Sequence, residues 1–147
     1  MKFISFEQLS AKIINQEGGE LNLSYLNLLD SHIIELLPTF RHCHKNTVIN
    51  LSQNKITEFS SILLISELKS TKKLILENNS LTENFLLELG KQVWAHDLEI
   101  SFNLPGARET KVIHLADFSR ASTSDFKMLN QYFSDYLESI YQKPTIT

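Results

Sequence analysis

The densest cluster of reactive side chains is Arg41-His42-Cys43-His44. Imidazole and thiolate together suit a metal site or an activated thiol. A metal centre needs three or four ligands converging at set spacings. Adjacent residues on a helix point in different directions, so four in a row do not converge. Cys43 follows Phe40 by three residues and is expected to fill the core as a small apolar side chain, leaving the histidines at the surface. Lys69, Lys72 and Lys73 form a small basic patch, read as solvated surface. The sequence holds no nucleophile elbow, phosphate loop or paired metal-ligand motif. The expectation is no catalytic residue, no metal and no cofactor.

Composition narrows the classes further. The chain has 147 residues, 42% of them hydrophobic and 21% charged, with a net charge of −3. That length suits one domain with a buried core of its own. It lacks the cationic excess of a nucleic-acid binder. With Cys43 as the sole cysteine an internal disulfide is impossible, which fits a reducing compartment. Glu7, Gln8 and Lys12 interrupt any signal-peptide core. The longest aliphatic run, 62–65, falls far short of the roughly twenty residues that span a bilayer. A cytoplasmic protein is expected, with no membrane association. If it reaches a host cytosol, it does so without an N-terminal signal.

The elements that position side chains come from an internal repeat. VINLSQNKIT (48–57) and KLILENNSLT (73–82) align Ile49, Leu51, Asn54 and Ile56 with Leu74, Leu76, Asn79 and Leu81. The pattern extends back to Leu21, Leu23, Leu26 and Leu28, and forward to Leu98, Ile100 and Asn103. Apolar residues two apart share one face of a strand. The asparagine that follows is expected to turn inward and bond backbone groups of the bend. Asn54, Asn79 and Asn103 are therefore structural. A fifth strand is expected at KVIHLADF, with Ile113, Leu115 and Phe118 aligned.

Between strands the period becomes helical. Thr57 and Thr82 are placed to cap helices. The expected buried faces are Phe59, Ile62, Leu63 and Leu68 in one, and Phe85, Leu86, Leu89, Val93 and Trp94 in the next. A helix beginning at Asp30-Ser31 contains Pro38, which should kink or shorten it. Residues 5–16 should form a helix with a Ser5–Gln8 capping box, an apolar face of Phe6, Leu9 and Ile13, and an end at Gly18-Gly19. Residues 122–141 carry the stripe Phe126, Leu129, Phe133, Leu137, Ile140 and Tyr141.

Ile49-x-Leu51-x-x-Asn54-x-Ile56 and Leu74-x-Leu76-x-x-Asn79-x-Leu81 resemble the leucine-rich-repeat family, in its longer, helix-containing ribonuclease-inhibitor-like form. Asn46, Thr71 and Ala95 stand where that family usually has a further leucine, Leu26 replaces the first asparagine, and Pro105 replaces the last leucine. The resemblance implies an α/β leucine-rich-repeat solenoid. Its short parallel sheet would line the concave face, with helices on the convex face and a cap helix at each end. The implied organisation is a single domain over 1–147: an N-terminal cap at 1–19, four to five repeats at 20–119, and a C-terminal cap helix and tail at 120–147.

In such a fold the outward strand positions bind. Those positions give Tyr25, Val48, Asn50, Gln53, Lys73, Ile75, Glu77, Glu99, Phe102 and His114 as partner-binding residues. Tyr25, Val48, Ile75 and Phe102 would form an apolar centre inside a polar rim, the composition of a protein-binding patch. The implied function is a protein-interaction module, expected as a monomer, with another protein as its partner. That partner would be an enzyme that the module blocks or regulates, a host protein or a companion effector. Small free-standing proteins of this look resemble effectors that intracellular bacteria inject into host cells. The alternative is a passive adaptor that leaves its partner's activity intact.

Overall fold

The computed structural model describes residues 5–43, 47–92, 94, 96–104 and 109–118. The expected C-terminal helix at 122–141 lies outside the described residues, as do His44 and Val93. The order is α1 (Phe6–Ile14), β1 (Gly19–Asn22), α2 (Asp30–Phe40), β2 (Thr47–Asn50), α3 (Glu58–Glu67), β3 (Lys73–Ile75), α4 (Asn84–Gly90), β4 (Glu99–Phe102) and β5 (Lys111–His114). A 3-10 turn follows at Leu115–Phe118. The result is an α/β protein with a five-stranded, mostly parallel sheet in sequence order and four helices among the described residues.

Burial alternates along β2 and β3, whereas β4 buries Ile100, Ser101 and Phe102 in succession. Leu21, Ile49, Leu74 and Ile100 are aligned partners across β1 to β4, and all are buried. Pairing runs on past the strand ends, where Leu23 N donates to Asn50 O at 2.8 Å and Leu51 N to Ile75 O at 2.9 Å. Helices α1 to α4 pack side by side in chain order. Their buried residues join the inward strand residues in one core, and the opposite sheet face is left open.

Ser5 caps α1 as the sequence predicts: its hydroxyl accepts from Gln8 N at 3.1 Å, and Gln8 Oε1 accepts from Ser5 N at 2.9 Å. Leu9 and Ile13 are buried, whereas Phe6, in the first turn, stays exposed. Gly18 and Gly19 both take positive φ, 99° and 78°, which ends the segment and turns the chain into β1. Helix α2 runs through Pro38 and stops two residues later, so the missing N–H falls in its last turn.

The buried face of α3 differs from the expected one. Ser60, Ser61, Leu64 and Ile65 point inward, while Phe59 is 64% exposed and Leu63 also faces out; Leu68, just past the helix end, is buried as expected. The cause is a hydrogen-bond clamp between α2 and α3. Asp30 Oδ1 accepts from Thr57 N at 2.8 Å and from Ser60 Oγ at 2.6 Å, and Oδ2 accepts from Thr57 Oγ1 at 2.6 Å. Ser61 Oγ donates to Thr57 O at 2.9 Å. Satisfied hydroxyls bury at little cost, and their small size lets the helices approach. A matching clamp ties α3 to the start of α4: Glu58 accepts from Thr82 N at 2.9 Å and from Thr82 Oγ1 at 2.7 Å. Thr57 caps α3 by accepting from Phe59 N, and Thr82 accepts from Asn84 N, both at 3.2 Å.

A second ladder runs through the bends. Asn54 Oδ1 accepts from Leu26 N at 3.1 Å and from Leu28 N at 2.9 Å. Its Nδ2 donates to Leu23 O and Leu51 O, each at 3.0 Å. Asn79 repeats the arrangement one unit on, accepting from Ile56 N at 3.0 Å and donating to Leu51 O at 2.9 Å and Leu76 O at 3.2 Å. Each asparagine serves its own bend and the preceding one. The first unit has no preceding bend, so Leu26 can stand there and pack on the core instead.

Two expectations for the last units need correction. The first is register. Ile100, not Leu98, aligns with Leu74, and Leu76 N donates to Ser101 O at 2.8 Å. The fourth unit is thus displaced by two residues from its sequence alignment. A two-residue slip keeps every side chain on its face but moves it one tier along. Asn103 consequently sits at the tier of Glu77, and accepts from Asn78 N at 2.9 Å on the exposed rim rather than turning inward. The second is direction: β5 pairs antiparallel with β4. A parallel partner needs a crossover of about a dozen residues or more, and the link from Asn103 to Lys111 is too short.

Candidate protein-binding face

The open face of the sheet is built from strand positions between the inward ones. Register places them in two rows. One runs Glu20, Val48, Lys73, Glu99, His114, and the other Asn22, Asn50, Ile75, Ser101, Val112. Strands about 4.8 Å apart bring row neighbours into contact range. Lys73 Nζ lies 3.2 Å from Glu99 Oε2, a half-exposed pair across β3 and β4. His114 stands opposite Glu99 on the far side, so Glu99 is flanked by Lys73 and an imidazole.

Asn50 is partly committed to structure. Its Oδ1 accepts from Ser52 N at 3.0 Å and Ser52 Oγ at 2.7 Å, as Asn22 does for Ser24. The Asn50 amide is left directed toward Glu20 Oε2, at 3.4 Å. Tyr25, Gln53 and Asn78 occupy matching bend positions with left-handed backbones, φ 57°, 59° and 57°. Tyr25 is 72% exposed there. Tyr25 and Gln53 lie at the bend edge of the face, and Val48, Lys73, Ile75, Glu77 and Glu99 are half-buried within it.

Phe102 does not belong to this face. The two-residue displacement puts it in the tier of Leu76, two along from Ile100 on the inward side. It is fully buried and packs edge-on against Phe85 with ring centroids 5.0 Å apart. Val112 supplies the apolar group instead, 49% exposed and two strands from Ile75. Between them Ser101 is buried, and its hydroxyl has no hydrogen-bond partner. Sequence alignment missed Val112 as a neighbour of Ile75 because a parallel fifth strand would place it one position away. The short link before Lys111 was the signal for the antiparallel turn.

Cys43 is half-buried against the core and His42 is exposed. Arg41 pairs with Glu67 at 2.7 Å, and that hydrogen bond holds the Glu67 carboxyl below its ordinary value. Asp30 is also held below the ordinary carboxylate value. Burial raises it, and the bonds from Ser60 and Thr57 outweigh burial. Among the described residues no group of three or more His, Cys, Asp or Glu could hold a metal ion. No described helix is long and apolar enough to cross a membrane.

Comparison with family models, curated proteins and solved structures finds no match.

Proposed function

We propose that the chain is a non-enzymatic protein-interaction module. Its units form a leucine-rich-repeat solenoid, and the open sheet face is the concave binding surface. The observation that carries this reading is that Val48 and Ile75, on the neighbouring strands β2 and β3, and Val112, on β5, face the open side of the sheet among Glu20, Asn50, Lys73, Glu99 and His114. An apolar centre with a polar rim has the composition of a protein interface, in which a few central side chains carry most of the energy. Tyr25 adds an exposed aromatic at the bend edge.

The sharper form is an inhibitor or regulator that lays this face over a partner enzyme. The test is capture from candidate lysates with wild type and with Ile75→Asp. A protein retained by the first and lost from the second, and then shown to bind as a purified component, locates the face. Loss of the partner's activity in the complex supports inhibition, and unchanged activity makes the protein an adaptor. Equal capture by a correctly folded Ile75→Asp variant overturns the assignment.

A further inference from the structure

The bend ladder stops one unit short, and a polar pocket lies where it stops. Leu28, Ile56 and Leu81 hold matching positions in the first three units. Leu28 N donates to Asn54 Oδ1 at 2.9 Å, and Ile56 N donates to Asn79 Oδ1 at 3.0 Å. Their carbonyls are met as well. Leu28 O accepts from Lys55 N at 2.9 Å, and Ile56 O accepts from Ser80 N at 2.8 Å. Each of these residues thus gives one donor and one acceptor to the unit that follows. By the same pattern Leu81 would meet the fourth unit's asparagine, Asn103. The two-residue displacement carries Asn103 to the rim instead, where it accepts from Asn78 N at 2.9 Å and donates to Asn78 Oδ1 at 3.3 Å. The next inward residue is Leu104, which is buried and offers no amide.

Leu81 is 2% exposed, and among the described residues no hydrogen bond reaches its N–H or its C=O. Buried main-chain groups are nearly always paired, so an unmet donor and acceptor on one residue are exceptional. Beside them is a pocket of about 440 Å³. Leu81 and Leu104 give it apolar surface, Asn78, Asn103, Ser80 and Thr82 give it polar walls, and no charged side chain lines it. These groups set the chemistry of an occupant. It accepts from one N–H and donates to one C=O. A primary carboxamide does both with neighbouring atoms. A carboxylate only accepts, and it would approach the Glu58 carboxylate that Thr82 holds. An ammonium or guanidinium group only donates, which leaves the Leu81 N–H unmet. The pocket opens at the bend edge of the sheet face, because Asn78 holds the bend position that Tyr25 and Gln53 hold in the earlier units. A chain lying on that face reaches the pocket with one side chain.

We propose that this pocket is a carboxamide site. A glutamine or asparagine side chain of the protein bound on the sheet face enters it, its oxygen accepting from Leu81 N–H and its amide nitrogen donating to Leu81 O. The origin of that side chain rests on the interaction reading of the sheet face; the pocket's preference for an amide does not. The inserted group continues the ladder that Asn54 and Asn79 build for the two preceding bends. It also sets the partner's register along the bend edge, because a side chain that cannot pair leaves buried polar groups unmet.

Two NMR measurements on the isotope-labelled protein test this. In the free protein the Leu81 amide should exchange with solvent at least about tenfold faster than those of Leu28 and Ile56, whose hydrogen bonds must open first. A Leu81 amide as protected as those two is already bonded within the chain, which overturns the proposal. The second measurement is a titration with propionamide, with propionate and propanol as controls. Propionamide should shift the Leu81 amide resonance saturably, with a dissociation constant on the order of 10 mM for so small a ligand. The controls should give no saturable shift. Ser80 is exposed and lines the pocket, so Ser80→Phe should fill it and abolish the shift while the rest of the spectrum stays folded. Ile75→Asp should leave the shift unchanged. Acetyl-glutamine N-methylamide should bind at least as tightly as propionamide, and its glutamate analogue should not bind. No saturable shift, an equal shift from propionate or propanol, or binding that survives in folded Ser80→Phe overturns the site. Weaker binding of the glutamine compound than of propionamide overturns the side-chain origin. Capture through Ile75 is decided separately from all of these.

Discussion

Removing the Asn54 side chain tests the bend ladder most severely. Asn54→Ala strips the partner from two N–H groups, Leu26 and Leu28, and from three carbonyls, Leu23, Leu51 and Ser52. Three of those five bonds are buried, and Ser52 O keeps its bond from Tyr25 N. An unmet buried backbone group costs about 1–3 kcal/mol, reduced where water can enter the space left. Leu51 O keeps its bond from Asn79, so it loses least. The expected loss is about 3 kcal/mol, a large part of the 5–15 kcal/mol typical of a domain. Asn79→Ala, whose bonds are only part-buried, should cost about 2 kcal/mol. Asn103→Ala, on the exposed rim, should cost about 0.5 kcal/mol. Urea unfolding of the three variants, with m unchanged, gives the ranking directly. Because Asn54 and Asn79 share Leu51 O, their double variant should depart from additivity. If Asn103→Ala costs as much as Asn54→Ala, the register and the ladder are both wrong.

Phe102→Ala should cost about 3–5 kcal/mol in urea unfolding, as core phenylalanines do, whereas Val112→Ala should cost under about 1 kcal/mol. The Asp30 carboxyl sits below its ordinary value when folded, so its contribution is complete above the unfolded value near 3.8 and is lost as pH falls through the folded one. Unfolding curves below about pH 4 should therefore show wild type converging on Asp30→Asn, after a gap of about 1–2 kcal/mol at neutral pH. Tyr25→Gly should raise stability by about 1 kcal/mol, because Tyr25 holds a left-handed backbone that glycine adopts freely. The same variant should weaken partner binding, which a titration with the purified partner would read.

Much of this architecture is legible in the sequence because period two and period 3.6 alternate cleanly. Leu74 and Leu76 announce an inward strand pair, and Phe85, Leu86 and Leu89 a buried helix face, and the structure buries all five. Ser5 and Gln8 specify their own cap. Hydrophobic counting fails on α3, where Phe59 and Leu63 outrank Ser60 and Ser61 on any apolar scale. The hydroxyls win because Asp30, thirty residues earlier in the chain than Ser60, meets one of them. The fourth unit fails differently. Leu98, Ile100 and Phe102 share parity, so sequence alone permits two registers that bury the same side chains. The asparagine match favoured the wrong one, since Asn103 finds its partner on Asn78 rather than at the inner bend. On the candidate face, Val48, Ile75 and Lys73 were legible from alternation alone. Val112 was not, because its place depends on strand direction.

A photo-crosslinking residue installed at position 75, compared with the same residue at position 102, tests the central claim most directly. The claim is that the open sheet face, with Ile75 at its centre, contacts the partner protein while Phe102 lies in the core. With a captured, purified partner, irradiation should give a crosslinked complex from position 75, and only crosslinks within the chain from position 102. A partner crosslink absent from 75, in a folded protein that still binds, would contradict the account.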